Sequence, residues 1–126
     1  MINYKKKPCI LAVDDVSVVL NAITAALSPH YEVFSLTKGE QVERFLSRTK
    51  PDLFLLDIEM PGMNGYDLVN VIRKREEHKD TPIMFITGNA TVKNFQAALA
   101  VGVSDFIAKP VDPEVLLKKI KDKIGK

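Results

Sequence analysis

The sequence predicts an α/β fold in which a five-stranded parallel sheet has helices on both faces. Two observations carry this prediction. Short apolar runs without polar alternation recur along the chain, which is typical of strands buried on both faces. Between these runs the apolar residues recur at helical spacing, and such alternation indicates a doubly wound parallel sheet. The chain has 126 residues, the usual size of one domain, so we expect a single domain over residues 1–126.

Four of the five predicted strands are uninterrupted apolar runs, and one has a mixed pattern. The mixed segment, residues 31–36, combines polar and apolar side chains, so we expect an edge strand there. The uninterrupted runs are expected to be buried on both faces. They cover residues 10–13, 53–56, 83–86 and 106–108.

Five segments have the apolar spacing of an amphipathic helix, and several carry start or stop signals. Pro29 follows the first helix, and Asn64 is a suitable N-cap for the third. Gly102 ends the fourth, while Asp112 and Pro113 begin the fifth. The five apolar stripes are Val16, Leu20, Ile23 and Leu27; Val42, Phe45 and Leu46; Leu68, Val71 and Ile72; Val92, Phe95 and Leu99; and Leu117, Ile120 and Ile124.

Charge and composition exclude several classes of protein. The net charge of +2 is too weak to argue for nucleic-acid binding. We expect the two basic clusters, residues 5–7 and 118–126, to be solvated. No apolar run approaches the 18 residues of a membrane span, so we expect a cytoplasmic protein. His30 and His78 lie outside every motif and are expected on the surface, whereas the lone Cys9 is expected to be buried.

Polar residues follow the apolar runs at the points where the predicted strands end. Asp14 and Asp15 follow the first run, Asp57 the second, Thr87 the third and Lys109 the fourth. The carboxyl ends of parallel strands share one edge of the sheet, so these side chains should meet in one cleft. Three clustered carboxylates need a cation, and hard oxygen ligands favour Mg²⁺.

The same groups have a joint chemistry. Lys109 offers a positive charge to an anion and Thr87 offers a hydroxyl donor. A carboxylate beside a divalent metal, a lysine and a hydroxyl suits phosphoryl transfer. One carboxylate could then act as the nucleophile and form an aspartyl phosphate.

Four segments of the chain resemble the response-regulator receiver domains of two-component signalling, chemotaxis receivers among them. The resemblance spans essentially the whole chain, and the segment around Asp57 is its most specific part. It implies a flavodoxin-like fold with strand order 2-1-3-4-5. The segments are Val13-Asp14-Asp15, Leu55 to Gly65, Ile86-Thr87-Gly88 and Asp105 to Pro110.

The resemblance also implies a role for each residue of the acidic site. Asp57 would be the phosphoacceptor. Asp14, Asp15 and Asp57 would hold Mg²⁺ together with the backbone carbonyl of Glu59. Lys109 would neutralise the phosphoryl group, and its peptide bond to the following proline is typically cis in the family.

Further residues would respond to phosphorylation or control its lifetime. By the resemblance, Thr87 would turn to hydrogen-bond the phosphoryl group, and Phe106, the switch aromatic, would then rotate inward. Glu59 and Asn89 would border the phosphoryl group and tune the lifetime of the aspartyl phosphate. Gly88 would leave space for a donor imidazole.

The resulting hypothesis is a phosphoacceptor module and not a turnover enzyme. A histidine kinase or a histidine phosphotransfer protein would supply the phosphoryl group. Phosphorylation would shift a two-state equilibrium of the fourth helix, fifth strand and fifth helix. That face would bind a downstream protein, a fused output domain or a second phosphorylated copy, and we expect neither nucleic-acid nor membrane binding. The apolar residues Phe95 and Leu99 fit such a face, but core packing explains them as well.

Three alternatives belong to other classes of protein. A phosphatase-type hydrolase with an aspartate nucleophile would carry Asp-x-Asp after the first strand, where this chain has Asp14-Asp15-Val16. A flavin- or nucleotide-binding protein would want a phosphate loop rich in serine, threonine or glycine there. The third alternative is a docking receiver that is never phosphorylated. Nothing in the sequence favours it, because all five expected functional groups are present.

Overall fold

The computed structural model describes residues 7–89 and 91–125, without the side chains of residues 92–94, and it confirms the predicted architecture. All strands are parallel, in the order β2-β1-β3-β4-β5. The order 2-1-3-4-5 implied by the resemblance is therefore confirmed, and the mixed segment forms an edge strand. The strands are β1 (Cys9–Val13), β2 (Glu32–Leu36), β3 (Leu53–Asp57), β4 (Ile83–Thr87) and β5 (Asp105–Ala108).

A helix follows each strand, as the spacing predicts. Two short 3₁₀ turns, Gly39–Gln41 and Glu76–His78, lie in the connections. The helices are α1 (Ser17–Leu27), α2 (Val42–Leu46), α3 (Gly65–Arg73), α4 (Val92–Ala100) and α5 (Pro113–Ile124).

The predicted start signals of α3 and α5 are confirmed by their hydrogen bonds. The Asn64 side chain accepts from the Asp67 N–H, and the Asp67 carboxylate accepts from the Asn64 N–H. This capping box satisfies two backbone donors at the start of α3, next to the Asp57 loop. Asp112 caps α5 by accepting from the N–H of Glu114, with proline in the first turn.

The core consists of two apolar layers, one on each face of the sheet. Successive residues of a strand point to opposite faces, so Ile10 of β1 packs towards α1 and α5 while Leu11 packs towards α2 and α3. Burying a leucine or isoleucine stabilises the fold by about 1.5–3 kcal/mol relative to exposure. Covering both faces explains why the strand runs lack polar alternation.

Two of the predicted apolar stripes contain exposed residues, although Leu20, Ile23 and Leu27 of the first stripe are buried. Val16 is 45% exposed and serves as the N-cap residue of α1. Helix α4 packs against the sheet through Ala98, whereas Phe95 is 38% exposed and Leu99 is 49% exposed. Phe95 and Leu99 are therefore accessible, as a binding face requires, and Phe95 also packs against Phe106. The Val92 side chain lies outside the described residues.

The prediction that His78 lies on the surface is wrong. Its side chain is fully buried, with Nδ1 2.8 Å from the Thr81 hydroxyl and the ring packed edge-on against Phe54. The cause is the fold of the loop before β4. The Arg73 guanidinium donates to the carbonyl oxygens of His78 (2.8 Å) and Thr81 (2.6 Å), which draws this loop against the core.

The remaining surface predictions have mixed outcomes. Cys9 is buried and His30 is exposed, both as predicted. Lys118 and Lys121 are exposed, whereas Lys119 is partly buried and pairs with a carboxylate on β5. Lys5, Lys6 and Lys126 lie outside the described residues. Over the described part of the chain, no helix is long and apolar enough to span a membrane.

Candidate functional site

The carboxylates predicted to cluster do lie together at the carboxyl edge of the sheet. Asp57 ends β3 and Asp14 follows β1, and these strands are neighbours in the sheet. Asp14 and Asp57 are buried, while Asp15 is exposed. One carboxylate oxygen from each of the three lies within 4.8 Å of the others.

Local backbone bonds fix the two buried carboxylates. Asp14 Oδ1 accepts a hydrogen bond of 2.9 Å from the Val16 N–H, and Asp57 Oδ1 accepts one of 3.2 Å from the Glu59 N–H. Gly65 lets α3 begin against this loop, because a Cβ there would lie 2.9 Å from the Asp57 carbonyl oxygen. The loop after β3 is therefore fixed by the hydrogen bond from the Glu59 N–H to Asp57 and by the close packing of α3 at Gly65.

Lys109 reaches the same carboxylates from the loop after β5. Its ammonium nitrogen lies 3.1 Å from Asp14 Oδ2 and 3.5 Å from Asp57 Oδ1. The Lys109 N–H donates to the Thr87 carbonyl at 2.8 Å, and the peptide bond between Lys109 and Pro110 is cis, as the resemblance implies. One ammonium thus contacts the two buried carboxylates of the cluster.

Burial and charge shift the pKa values of this site. Burial, followed by the negative charge of Asp14, raises the pKa of Asp57 to about 6, against the opposing effects of Lys109 and the Glu59 N–H. Burial alone would lower the pKa of Lys109, but contact with Asp14 and Asp57 outweighs it, so the lysine pKa is raised. The site therefore holds more negative charge than its lysine balances.

Thr87 lies at the end of β4 beside the acidic cluster. Its side chain is buried, and its hydroxyl accepts a hydrogen bond of 3.0 Å from the Asn89 N–H. A cavity of about 240 Å³ adjoins it. The lining residues are Ile58, Glu59, Tyr66, Thr87 and Asn89, so the two residues predicted to control phosphoryl lifetime share one cavity with Thr87.

Gly88 and Tyr66 lie next to this cavity, and the sequence predicted a role for Gly88 but not for Tyr66. A Cβ added at Gly88 would meet no atom of the described residues within 4 Å, which agrees with the predicted open space. Tyr66 was missed by the sequence analysis, although it lines the cavity and packs edge-on against Phe85 at 5.0 Å. Its position directly after Gly65, which contacts the Asp57 loop, was the available signal.

Phe106 is buried, with 7% of its surface exposed. Its ring contacts Phe85 at 6.1 Å and Phe95 of α4 at 5.4 Å between centroids. The ring therefore occupies an interior position in this structure, and the inward rotation implied by the resemblance stays a prediction.

A family model for the response regulator receiver domain matches residues 10–121. The chain belongs to this family. It is a receiver domain of two-component signalling. Receiver domains are generally signalling modules and not turnover enzymes.

Named relatives of this receiver occur both as short proteins and as parts of longer ones. The chain is 38% identical over 114 residues to the CAI-1 autoinducer sensor kinase/phosphatase CqsS of Vibrio cholerae, covering 88% of this chain but 16% of that protein. It is 31% identical over 119 residues to a chemotaxis protein CheY homolog of Campylobacter jejuni, covering 92% of both chains. The receiver thus spans under a fifth of one relative and nearly all of the other.

One solved receiver domain that is similar to this chain contains a bound magnesium ion. The receiver of sensor histidine kinase PA1611 from Pseudomonas aeruginosa PAO1 has a magnesium ion coordinated in its active-site cleft. It matches with a TM-score of 0.84 and 31% identity, covering 95% of this chain and 99% of that one. Receiver domains bind Mg²⁺ at such an acidic site.

The residues of this receiver fit a magnesium ion on their own chemistry. Three carboxylates provide the hard oxygen ligands that Mg²⁺ prefers. Asp14 Oδ2 is buried and accepts no well-aligned hydrogen bond from the described residues, although the Lys109 ammonium lies 3.1 Å away. A buried carboxylate oxygen in this position is suited to a cation.

Proposed function

We propose that this receiver accepts a phosphoryl group on Asp57 from a phosphohistidine donor. One observation carries the proposal: Asp57 is a buried carboxylate that shares its site with Asp14, Asp15 and the Lys109 ammonium. A carboxylate held beside a cation and ready to receive Mg²⁺ is suited to act as a nucleophile on phosphorus.

The proposed reaction is a single displacement. An Asp57 carboxylate oxygen forms a bond to phosphorus while the bond from phosphorus to the imidazole nitrogen breaks. The electron pair of the broken bond stays on the imidazole, and the product is an aspartyl phosphate. The open space beside Gly88 gives the donor imidazole an approach.

Other residues would support this displacement. Mg²⁺, held by Asp14, Asp15, Asp57 and the Glu59 carbonyl, would neutralise charge on the carboxylates and on the phosphoryl oxygens. The Lys109 ammonium would exchange its contact with Asp14 for an ion pair with the phosphoryl oxygens. The Thr87 hydroxyl would donate a hydrogen bond to a phosphoryl oxygen.

Glu59 and Asn89 would control how long the phosphoryl group survives. Both line the cavity beside Thr87, from which water can approach the phosphoryl group. Glu59 adds a negative charge there and Asn89 adds an amide. We propose that substitutions at these two positions change the rate of dephosphorylation more than the rate of phosphorylation.

The output of the receiver is proposed to be the face of α4, β5 and α5. Phe95 and Leu99 of α4 and Val115 of α5 are exposed large apolar side chains. Phe106, the proposed switch residue, contacts Phe95 directly. Phosphorylation would shift the equilibrium of this face towards binding a downstream protein, an output domain or a second copy.

The test is the intact mass of the protein after incubation with acetyl phosphate. We expect one phosphoryl group to be added with Mg²⁺ present and none when a chelator replaces it. Asp57→Asn should abolish the addition, while Asp122→Asn, at an exposed position on α5, should leave it unchanged. Addition to the Asp57→Asn variant, or no addition to the natural protein, would contradict the proposal.

A further inference from the structure

A second cavity lies at the amino-terminal edge of the sheet, away from the acidic site. Its volume is about 860 Å³, within the roughly 300–1,000 Å³ typical of small-molecule sites. Cys9 and Glu32, which begin β1 and β2, form part of its wall, with Ile124 at the end of α5. It therefore opens opposite the carboxyl edge that carries Asp57.

Four cationic side chains from three parts of the chain line this cavity. They are Lys7, Arg48, Lys50 and Lys123. Lys7 and Lys123 come from the two basic clusters that the sequence analysis expected to be merely solvated. Lys7 Nζ lies 3.3 Å from the Ser28 carbonyl oxygen, and within residues 7–89 and 91–125 the other three side chains make no hydrogen bond or ion pair.

The acidic residues of the wall do not balance this charge. Asp52 and Glu32 are the two carboxylates that line the cavity, against four cations. Asp52 Oδ2 accepts a hydrogen bond of 2.7 Å from the Cys9 N–H, so this carboxylate already has a structural partner. The cavity therefore has an excess of positive charge suited to an anionic ligand.

Apart from Thr49, the uncharged residues of the wall are apolar. Phe34 is half-buried on β2, and Pro8, Pro82 and Ile124 line the cavity with it. An inorganic anion alone would leave this apolar surface uncovered. A ligand with phosphate groups at one end and a flat aromatic group at the other would match both parts of the wall.

We propose that this cavity binds a nucleotide. Arg48, Lys50 and Lys123 contact the phosphate groups, and the aromatic base packs against Phe34 and the prolines. The site is separate from the phosphoacceptor, so a bound nucleotide can report a second signal to the same domain. This binding needs no Mg²⁺, because the cations of the cavity come from the protein itself.

The test is a titration of the uniformly ¹⁵N-labelled chain with ADP in metal-free buffer at low salt, followed by NMR. We expect saturable shifts of the amide signals of Cys9, Phe34 and Ile124, with little change at Asp57 and Thr87. Arg48→Gln and Lys50→Gln should each weaken binding about tenfold, the usual effect of losing one charged hydrogen bond.

The matched control is Lys118→Gln, because Lys118 is 79% exposed on α5 and pairs with Asp122 outside the cavity. It should bind ADP as tightly as the natural protein does. If Lys118→Gln weakened ADP binding as much as Arg48→Gln and Lys50→Gln do, the binding would reflect general charge attraction, and the proposal would be overturned. Shifts centred on Asp57, pyrophosphate binding as tightly as ADP, or binding of an oligonucleotide without ADP would also overturn it.

Discussion

The Lys109 ammonium lies closer to Asp14 than to Asp57, at 3.1 Å from Asp14 Oδ2 and 3.5 Å from Asp57 Oδ1. One lysine therefore divides its charge between the two buried carboxylates of the site. With Asp15 nearby, negative charge remains in excess. The site can gain stability from a divalent cation, and in the proposed reaction Lys109 would exchange its contact with Asp14 for one with the phosphoryl group on Asp57.

The first prediction concerns Mg²⁺ and stability. A cation that binds the folded state alone stabilises it, by about 2.7 kcal/mol at 100 times its dissociation constant. We expect Mg²⁺ to raise the Tm of the natural protein and to have much less effect on Asp15→Asn, which removes an exposed carboxylate proposed as a ligand. Thermal unfolding at constant ionic strength measures this. Asp122→Asn should respond like the natural protein, and an equal response of Asp15→Asn would contradict the assigned ligand.

The second prediction concerns Asp57 and pH. Its pKa is raised from 3.8 to about 6, mainly by burial and then by Asp14. Between these values the folded state holds more protons than the unfolded state, so the free energy of unfolding falls as pH rises. The loss reaches about 3 kcal/mol once both states are ionised.

Asp57→Asn removes the loss of stability that ionisation of Asp57 causes, although the variant also lacks the ion pair between Asp57 and Lys109. We therefore expect the variant to be more stable than the natural protein by about 1–3 kcal/mol at pH 7.5 without Mg²⁺, and to lose this advantage below about pH 4. Urea unfolding in a chelating buffer at several pH values provides the measurement. A variant less stable than the natural protein at pH 7.5 would contradict the account.

The third prediction concerns His78, whose pKa is lowered chiefly by burial, with Lys50 and Arg75 adding positive charge nearby. The unfolded state then takes up a proton first as pH falls below about 6.5. Stability is therefore lost as pH falls through the folded-state pKa. His78→Asn should weaken this dependence, because an amide can still hydrogen-bond the Thr81 hydroxyl but does not titrate. Comparing urea unfolding at pH 7.5 and 5.5 tests this.

The control for that experiment is His30→Asn, because His30 is exposed. It should retain the full difference in stability between the two pH values. If His78→Asn also retained the full difference, His78 would not be the group that titrates.

The fourth prediction compares two glycines on either side of the site. A Cβ at Gly65 would lie 2.9 Å from the Asp57 carbonyl oxygen and 3.0 Å from a ring carbon of Phe85. A Cβ at Gly88 would meet no atom within 4 Å in the part of the chain that the structure describes. Gly65→Ala should therefore destabilise the protein by about 1–3 kcal/mol, while Gly88→Ala should change stability by less than about 1 kcal/mol. Denaturant unfolding of both variants measures these changes in stability. Equal losses of stability in the two variants would contradict the close packing at Gly65.

The fold was largely predictable because both faces of the sheet are covered. Runs such as residues 53–56 are apolar at every position, since alternate residues contribute to the two core layers. His78 was mispredicted because its neighbours in the sequence are charged. Its burial depends on Arg73, which also donates to the Gly102 carbonyl at 3.1 Å, a partner that no local pattern reveals.

The acidic cluster was predictable because strand ends share one edge, but its aromatic surroundings were not. The position of Phe106 depends on the rotation of α4 about its axis, which turns Ala98 to the sheet and sets Phe95 over the Phe106 ring. Tyr66 was missed for the same kind of reason. The packing angle of α3 against β4 brings its ring to Phe85, and that angle is a property of the assembled core.

The central claim is that Asp57 is the phosphoacceptor, and chemical trapping tests it most directly. After incubation with acetyl phosphate and Mg²⁺, sodium borohydride reduces an aspartyl phosphate to homoserine, which peptide mass spectrometry then locates. We expect homoserine at position 57 alone, and none when a chelator replaces Mg²⁺. Homoserine at Asp14, at Asp15 or elsewhere with Asp57 unchanged would contradict it.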